Sequence, residues 1–119
     1  MPRYDLLAVD LDGTLFDSAR KVSEENCRAL ARATDAGTHI AVVTGRRLPA
    51  ALPSLEGLDI DPLLVFNSGA LIKESFKGPI LRRRFLPRET AVEVIALGRD
   101  CHAAPIVHDG PDGEGHIVI

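Results

Sequence analysis

The stretch DLDGTL at residues 10–15 follows directly on the apolar run LLAV at residues 6–9. The apolar run predicts a buried strand, and open α/β sheets bind their ligands at the carboxyl ends of such strands. If the extended conformation continues through Leu11, the carboxylates of Asp10 and Asp12 point the same way and share one small space. Two like charges that lie so close repel each other unless a cation separates their roles. The pattern therefore predicts that both carboxylates take part in chemistry.

Two alternatives explain the same stretch without catalysis. Asp-Gly is a turn dipeptide and can end any strand. A calcium loop requires an acidic or amide ligand at position 14 and a glutamate at position 21, but these residues are Thr14 and Lys21. The calcium loop is therefore disfavoured, whereas the simple turn stays open.

A second strand and a crossover helix are predicted after this stretch. The run at residues 40–43 is apolar and leads into Thr44-Gly45-Arg46. Between the strands, Ser23 is a candidate N-cap and Gly37 a C-terminal stop. The apolar positions of this helix follow helical spacing and comprise Cys27, Leu30, Ala31 and Thr34. The order strand, helix, strand predicts one βαβ unit.

The motif Asp-x-Asp-Gly-Thr-Leu after an apolar strand resembles the first motif of the haloacid dehalogenase superfamily, and Thr44 matches the position of the second motif. The resemblance implies an α/β fold, a HAD-like (Rossmann-type) doubly wound parallel sheet. This chain would supply the N-terminal half of that core, followed by the start of an α/β cap. Most members are Mg²⁺-dependent phosphohydrolases. By resemblance, Asp10 is the nucleophile and a metal ligand, and Asp12 is the proton shuttle whose carbonyl also binds Mg²⁺.

Physical chemistry gives the same residues compatible roles. A carboxylate oxygen of Asp10 can attack a phosphoryl group in line and form an acyl-phosphate, which water then hydrolyses. The charge on the phosphoryl oxygens requires hydrogen-bond donors. The expected donors are the Thr44 hydroxyl, the Gly45 amide and the first turn amide after Asp10, that of Leu11. Thr44 and Gly45 have an ordinary alternative as a strand end and its turn.

A third apolar run at residues 63–66 ends in Asn67-Ser68-Gly69. This element is similar to the Asn-Gly-Ala element of the Cof-type branch of the superfamily, which implies a substrate-facing role for Asn67. Ser68 intervenes in that element, and a simple hairpin turn is an open alternative. Arg46 is a candidate to meet the anionic end of a substrate, since guanidinium suits phosphate geometry. An exposed arginine at a helix start is the alternative.

The remaining residues resemble the beginning of an inserted Cof-type cap. We expect residues 1–72 to form the partial core and residues 73–119 the partial cap. Within the cap, the predicted elements are a strand at 79–85, a helix at 87–97 and strands at 105–108 and 116–119. The helix is predicted to turn Ala91, Val94 and Ile95 inward.

Two parts of the superfamily pattern have no clear position. One is the lysine that bridges the nucleophile and the phosphoryl group, because Lys73 and Lys77 follow the third strand too soon. The other is the later acidic motif that completes the magnesium site, although a compact enzyme without a cap could use Asp109 and Asp112 to bind the metal. The first strand would also be an exposed apolar edge. We therefore expect a missing C-terminal segment or self-association to cover that edge.

Composition limits the remaining functions. The 119 residues are 45% hydrophobic and 26% charged, with a net charge of −3, which is typical of one globular domain. Three arginines at 82–84 are a poor electrostatic footprint in such a chain, so nucleic acid is not an expected partner. The histidines lack zinc spacing. No run is long enough to span a membrane, and the two cysteines fit a reducing compartment, so a cytoplasmic location is expected.

The resemblance favours a phosphohydrolase of small phosphorylated metabolites. A fragment that binds anions or a partner without turnover is one alternative. A phosphotransferase or phosphomutase is the other, because both also begin with an aspartyl-phosphate.

Overall fold

A computed structural model describes residues 4–110 and 117–118 of the chain. The described residues divide into two compact units, one that ends at Arg83 and one that begins at Arg84. The part of the chain described contains no helix that is both long and apolar enough to cross a membrane.

The first unit is built on a five-stranded sheet with strand order β1-β2-β3-β4-β5. Its strands are Leu6–Val9 (β1), His39–Val43 (β2), Leu63–Phe66 (β3), Leu71–Lys73 (β4) and Ile80–Arg83 (β5). The first three strands are parallel, and the last two are antiparallel to their neighbours. Helices α1 (Glu24–Asp35) and α2 (Leu48–Leu55) connect the parallel strands. The predicted βαβ unit and α/β class are confirmed.

Helix α1 begins and ends at the predicted signals. The Ser23 hydroxyl accepts a hydrogen bond from the backbone amide of Asn26 at 3.2 Å, and Gly37 has a left-handed φ of 90° just beyond the helix. Leu30 is buried in the core. Thr34 is exposed, contrary to prediction, and its hydroxyl donates to the Leu30 carbonyl of the same helix at 3.1 Å. Ala33 packs against the core instead.

The core joins the sheet to the turn after β1 and to both helices. Its most buried large side chains, all less than 2% exposed, are Phe66, Leu11, Leu55, Leu64, Leu71 and Val42. Strand β1 lies at the edge of this sheet, since it pairs only with β2 among the described residues. Leu6 and Leu7 are 57% and 42% exposed there. The exposed apolar edge predicted from the sequence is therefore present in this unit.

The strand predicted at residues 79–85 does not begin a separate unit. It corresponds to β5, which pairs antiparallel with β4 and extends the first sheet. The first unit consequently ends at Arg83, whereas the sequence placed the boundary at residue 72. Backbone pairing along β4 and β5 explains the difference, because it joins them to one sheet.

The second unit contains helix α3 (Arg88–Asp100) and a two-stranded antiparallel ribbon. The ribbon pairs Ile106–Val107 (β6) with Ile117–Val118 (β7), near the predicted strands. Val94 is 53% exposed, so the prediction that it turns inward is wrong. Within this unit α3 has no buried residue to set one inward face. Asp112 and His116 lie outside the described residues.

Candidate active site

The chain turns sharply where β1 ends. Asp10 is still extended, with φ −80° and ψ 160°, and a single wide helical turn follows at Leu11–Leu15. The extended conformation therefore does not continue through Leu11, which was the premise for placing Asp10 and Asp12 side by side. Leu11 and Leu15 are buried, and their burial anchors the turn in the core. Gly13 adopts a left-handed φ of 74°, which favours glycine.

Asp10 is exposed at the carboxyl end of the strand, as the sequence predicts. Its Oδ1 accepts a hydrogen bond from the Leu11 amide at 2.7 Å. The Leu11 amide, a predicted phosphate donor, is therefore already bonded to the carboxylate beside it. This bond orients the carboxylate, and its second oxygen has no partner among the residues that the structure describes.

Thr44 is held tightly at the end of β2. The residue is 3% exposed, and its backbone amide donates to the carbonyl of Val65 at 2.9 Å. The hydroxyl oxygen accepts from the Arg46 amide at 3.0 Å, which leaves the hydroxyl hydrogen free to donate. Gly45 is exposed, and its amide donates to no described residue. Two hydrogen-bond donors therefore lie side by side.

One open cleft of about 550 Å³ is lined by Asp10, Thr44 and Gly45 together. Strands β1 and β2 are parallel and end at the same edge of the sheet, so the structure brings both motifs to one place. The third strand adds Ser68 and Gly69 to the lining. A carboxylate therefore faces a group of hydrogen-bond donors.

Asp12 and Arg46 form a bidentate ion pair. The guanidinium Nε and Nη2 each lie 2.6 Å from one carboxylate oxygen. The hydrogen bond from Arg46 lowers the pKa of Asp12, and the same bond raises the pKa of Arg46. The guanidinium also lies 5.4 Å from the centre of the Phe16 ring. The sequence suggested Arg46 as a substrate contact, whereas in this structure it holds the second aspartate.

Asn67 is not among the residues that line the cleft. Its backbone amide donates to the Arg46 carbonyl at 3.0 Å. Its buried side-chain Oδ1 has no hydrogen-bond partner among the described residues. Ser68, which interrupts the Asn-Gly-Ala element, does line the cleft. Its position directly before a glycine, at the end of a third parallel strand, was the available signal.

The oxygen donors at this site suit a hard divalent cation. The Asp10 carboxylate, and the Asp12 main-chain carbonyl that the motif's resemblance assigns to the metal, are the ligand type that Mg²⁺ prefers, and Mg²⁺ usually retains several waters. No group of three metal-ligating side chains occurs among residues 4–110 and 117–118. Lys73 bonds through Nζ to the Gly78 carbonyl, so the structure does not place it as the bridging lysine.

Comparison with known proteins decides the ancestry. The family model for haloacid dehalogenase-like hydrolase matches residues 7–110, which contain both motifs and the cleft. The chain belongs to the haloacid dehalogenase-like hydrolase family. A phosphatase of the same superfamily from Bacteroides thetaiotaomicron superposes with a TM-score of 0.82 at 26% identity, over 99% of this chain and 44% of that one.

Several curated relatives have phosphatase names. A 5-amino-6-(5-phospho-D-ribitylamino)uracil phosphatase of Bacillus subtilis (strain 168) is 34% identical over 83 residues, 70% of this chain and 28% of that protein. A pyridoxal phosphate phosphatase of Escherichia coli (strain K12) is 29% identical over 97 residues, 82% of this chain and 36% of that protein. The chain spans about a third of the length of such relatives.

Proposed function

We propose that this chain carries the phosphoryl-transfer site of a Mg²⁺-dependent phosphatase. One observation carries the proposal: the exposed carboxylate of Asp10 shares a cleft with the donors of Thr44 and Gly45. A nucleophile opposite hydrogen-bond donors is the arrangement that phosphoryl transfer requires. The phosphatase names of the relatives support the same reaction class.

In the proposed reaction, the free oxygen of Asp10 attacks phosphorus as the bond to the leaving oxygen breaks. The Thr44 hydroxyl and the Gly45 amide donate to the phosphoryl oxygens, where negative charge accumulates. A water molecule then attacks phosphorus and releases inorganic phosphate, which regenerates the Asp10 carboxylate. When bound, Mg²⁺ would be held by the Asp10 carboxylate and the Asp12 carbonyl, and it would offset the charge of the phosphoryl group.

Asp12 is the proposed proton carrier for both steps. It would give a proton to the leaving oxygen and later take one from the attacking water. While it is paired with Arg46, the carboxyl group stays ionised and cannot donate. The pair therefore has to open before Asp12 acts as an acid. An anionic group of the substrate that attracts Arg46 would favour that opening.

The substrate class we propose is a small phosphorylated metabolite. The relatives' names specify a phosphorylated ribitylaminouracil and pyridoxal phosphate, which are both small monophosphates. The polar side chains and the glycine amide that line the cleft suit a phosphoryl group.

The test is turnover of p-nitrophenyl phosphate with Mg²⁺ by the wild-type chain and its Asp10→Asn variant. We expect turnover that falls at least a thousandfold in the variant, because an amide is a poor nucleophile. Asp59→Asn, a change of the same type at an exposed loop residue, should keep wild-type turnover. A folded wild-type chain without turnover would instead favour a module that binds anions, and would contradict activity of this chain alone.

A further inference from the structure

The turn after β3 holds consecutive residues in the left-handed conformation. Asn67, Ser68 and Gly69 have φ values of 50°, 53° and 96°. Glycine adopts this conformation freely, whereas serine does so at a cost. Such strained residues persist where surrounding contacts impose the conformation, and they concentrate at functional sites. Ser68 is therefore a position at which glycine would suit the backbone better than the residue present.

Two hydrogen bonds fasten this turn to the loop after β2. The Asn67 amide donates to the Arg46 carbonyl at 3.0 Å, and the Ser68 amide donates to the Thr44 carbonyl at 3.1 Å. These bonds fix Ser68 relative to Thr44, whose hydroxyl is a proposed phosphate donor. The position of Ser68 in the cleft is therefore set by the backbone and does not depend on its own side chain.

The Ser68 hydroxyl is directed into the cleft. Its Oγ lies 3.5 Å from the point that a Cβ on Gly45 would occupy, so it lies over the exposed backbone of that glycine. Ser68 lines the cleft together with Asp10, Thr44 and Gly45. Its hydroxyl bonds to no other residue in the described part of the chain. A free donor thus lies beside the two donors already assigned.

We propose that Ser68 is a substrate-binding residue whose hydroxyl donates a hydrogen bond to the phosphoryl group held by Thr44 and Gly45. The inference rests on the proposed function, because it assigns a further donor to the same group. It explains why an unpartnered serine occupies a left-handed position that directly precedes a glycine. The role predicted for Asn67 from its motif then belongs to the next residue.

The decisive variant is Ser68→Gly, tested by titration of the wild-type and variant chains with inorganic phosphate in the presence of Mg²⁺. The amide signal of Gly45 in ¹⁵N NMR reports binding, and thermal unfolding of the same samples reports stability. Glycine removes the hydroxyl and relieves the backbone strain of the left-handed conformation. Phosphate affinity should therefore fall about tenfold, while the melting temperature stays equal or rises. A residue needed only for structure would lower both together.

Two further variants complete the experiment. Ser68→Asn keeps a polar donor that tolerates the left-handed conformation, so it should recover part of the affinity. His102 has a similar left-handed φ of 56° and does not line the cleft. His102→Gly relieves the backbone strain there and should leave phosphate affinity unchanged.

Several results would overturn the assignment. If Ser68→Gly binds phosphate as tightly as the wild type, the hydroxyl is not used. If both Ser68 variants lose phosphate affinity together with thermal stability, the hydroxyl is likewise not the cause of the lost affinity. Absence of phosphate binding by the wild-type chain would also overturn it. Failure of the proposed function is a separate result, since Asp10→Asn turnover tests the nucleophile and phosphate affinity tests this donor.

Discussion

The ion pair between Asp12 and Arg46 ties together two loops that are far apart in sequence. Both of its hydrogen bonds are short and charge-assisted, although Asp12 remains largely exposed to water. Exposure limits what such a pair contributes to stability. Its main consequence is therefore chemical, because it favours the ionised form of Asp12 and fixes the carboxylate against Arg46.

Replacing Arg46 with methionine should raise the pKa of Asp12 toward its ordinary value. The reason is that the hydrogen bond from Arg46 is the main cause of the lowered pKa. A ¹³C NMR titration of the Asp12 carboxyl carbon measures the change directly. Arg32→Met, at an exposed position on α1, is the matched control and should leave the titration unchanged. An unaltered Asp12 titration in Arg46→Met would contradict the assigned cause.

The same pair has a defined pH dependence. Because the pKa of Asp12 is lower in the folded than in the unfolded chain, the contribution of the pair to stability is present above the unfolded pKa. It is lost as the pH falls through the lowered pKa of the folded form. The stability difference between wild type and Arg46→Met should therefore shrink at acidic pH.

At the scale of single elements, helix α1 shows how local signals set the spacing between the two motifs. The Ser23 hydroxyl satisfies the Asn26 amide at the start of the helix, and Glu24 and Glu25 lie in its positive first turn. Gly37 then allows the chain to turn toward β2. These interactions determine where the crossover begins and ends, and so help deliver Thr44 to the end of the neighbouring strand.

The Ser23→Ala variant should lower the free energy of unfolding by about 1 kcal/mol, the usual effect of losing a side-chain N-cap. Urea unfolding followed by circular dichroism measures the change. Ser18→Ala removes a hydroxyl from an exposed loop and should change the free energy of unfolding by less than about 0.5 kcal/mol. Equal losses in the two variants would mean that the cap contributes nothing specific to α1.

At the scale of the whole sheet, the two edge strands of the first unit differ in how they are protected against pairing with a further strand. Strand β5 carries Arg82 and Arg83, and charged side chains oppose pairing with another strand. Strand β1 has the sequence LLAV, and Leu6 and Leu7 are largely exposed. An apolar edge with unpaired backbone groups favours addition of a further strand. The β1 edge is therefore where association is expected.

We predict that this chain associates with itself in a concentration-dependent manner through β1. Leu7→Lys places a charge on that edge and should shift the population toward monomer in sedimentation velocity. Leu81→Lys makes the same change on β5, where Leu81 is 56% exposed, and should not alter association. A wild-type chain that stays monomeric at high concentration would contradict the prediction.

The sequence by itself determined the strands at the two motifs and the crossover helix with its cap, and it predicted that Asp10, Thr44 and Gly45 lie together at the ends of these strands. These depend on local signals, namely apolar runs, a capping serine and turn glycines, which act over a few residues. Only the tertiary structure decided which groups meet. It paired Arg46 with Asp12, brought Ser68 to the cleft beside Asp10, and joined β5 to the first sheet. These contacts depend on strand pairing and loop geometry between distant segments, which short-range patterns do not encode.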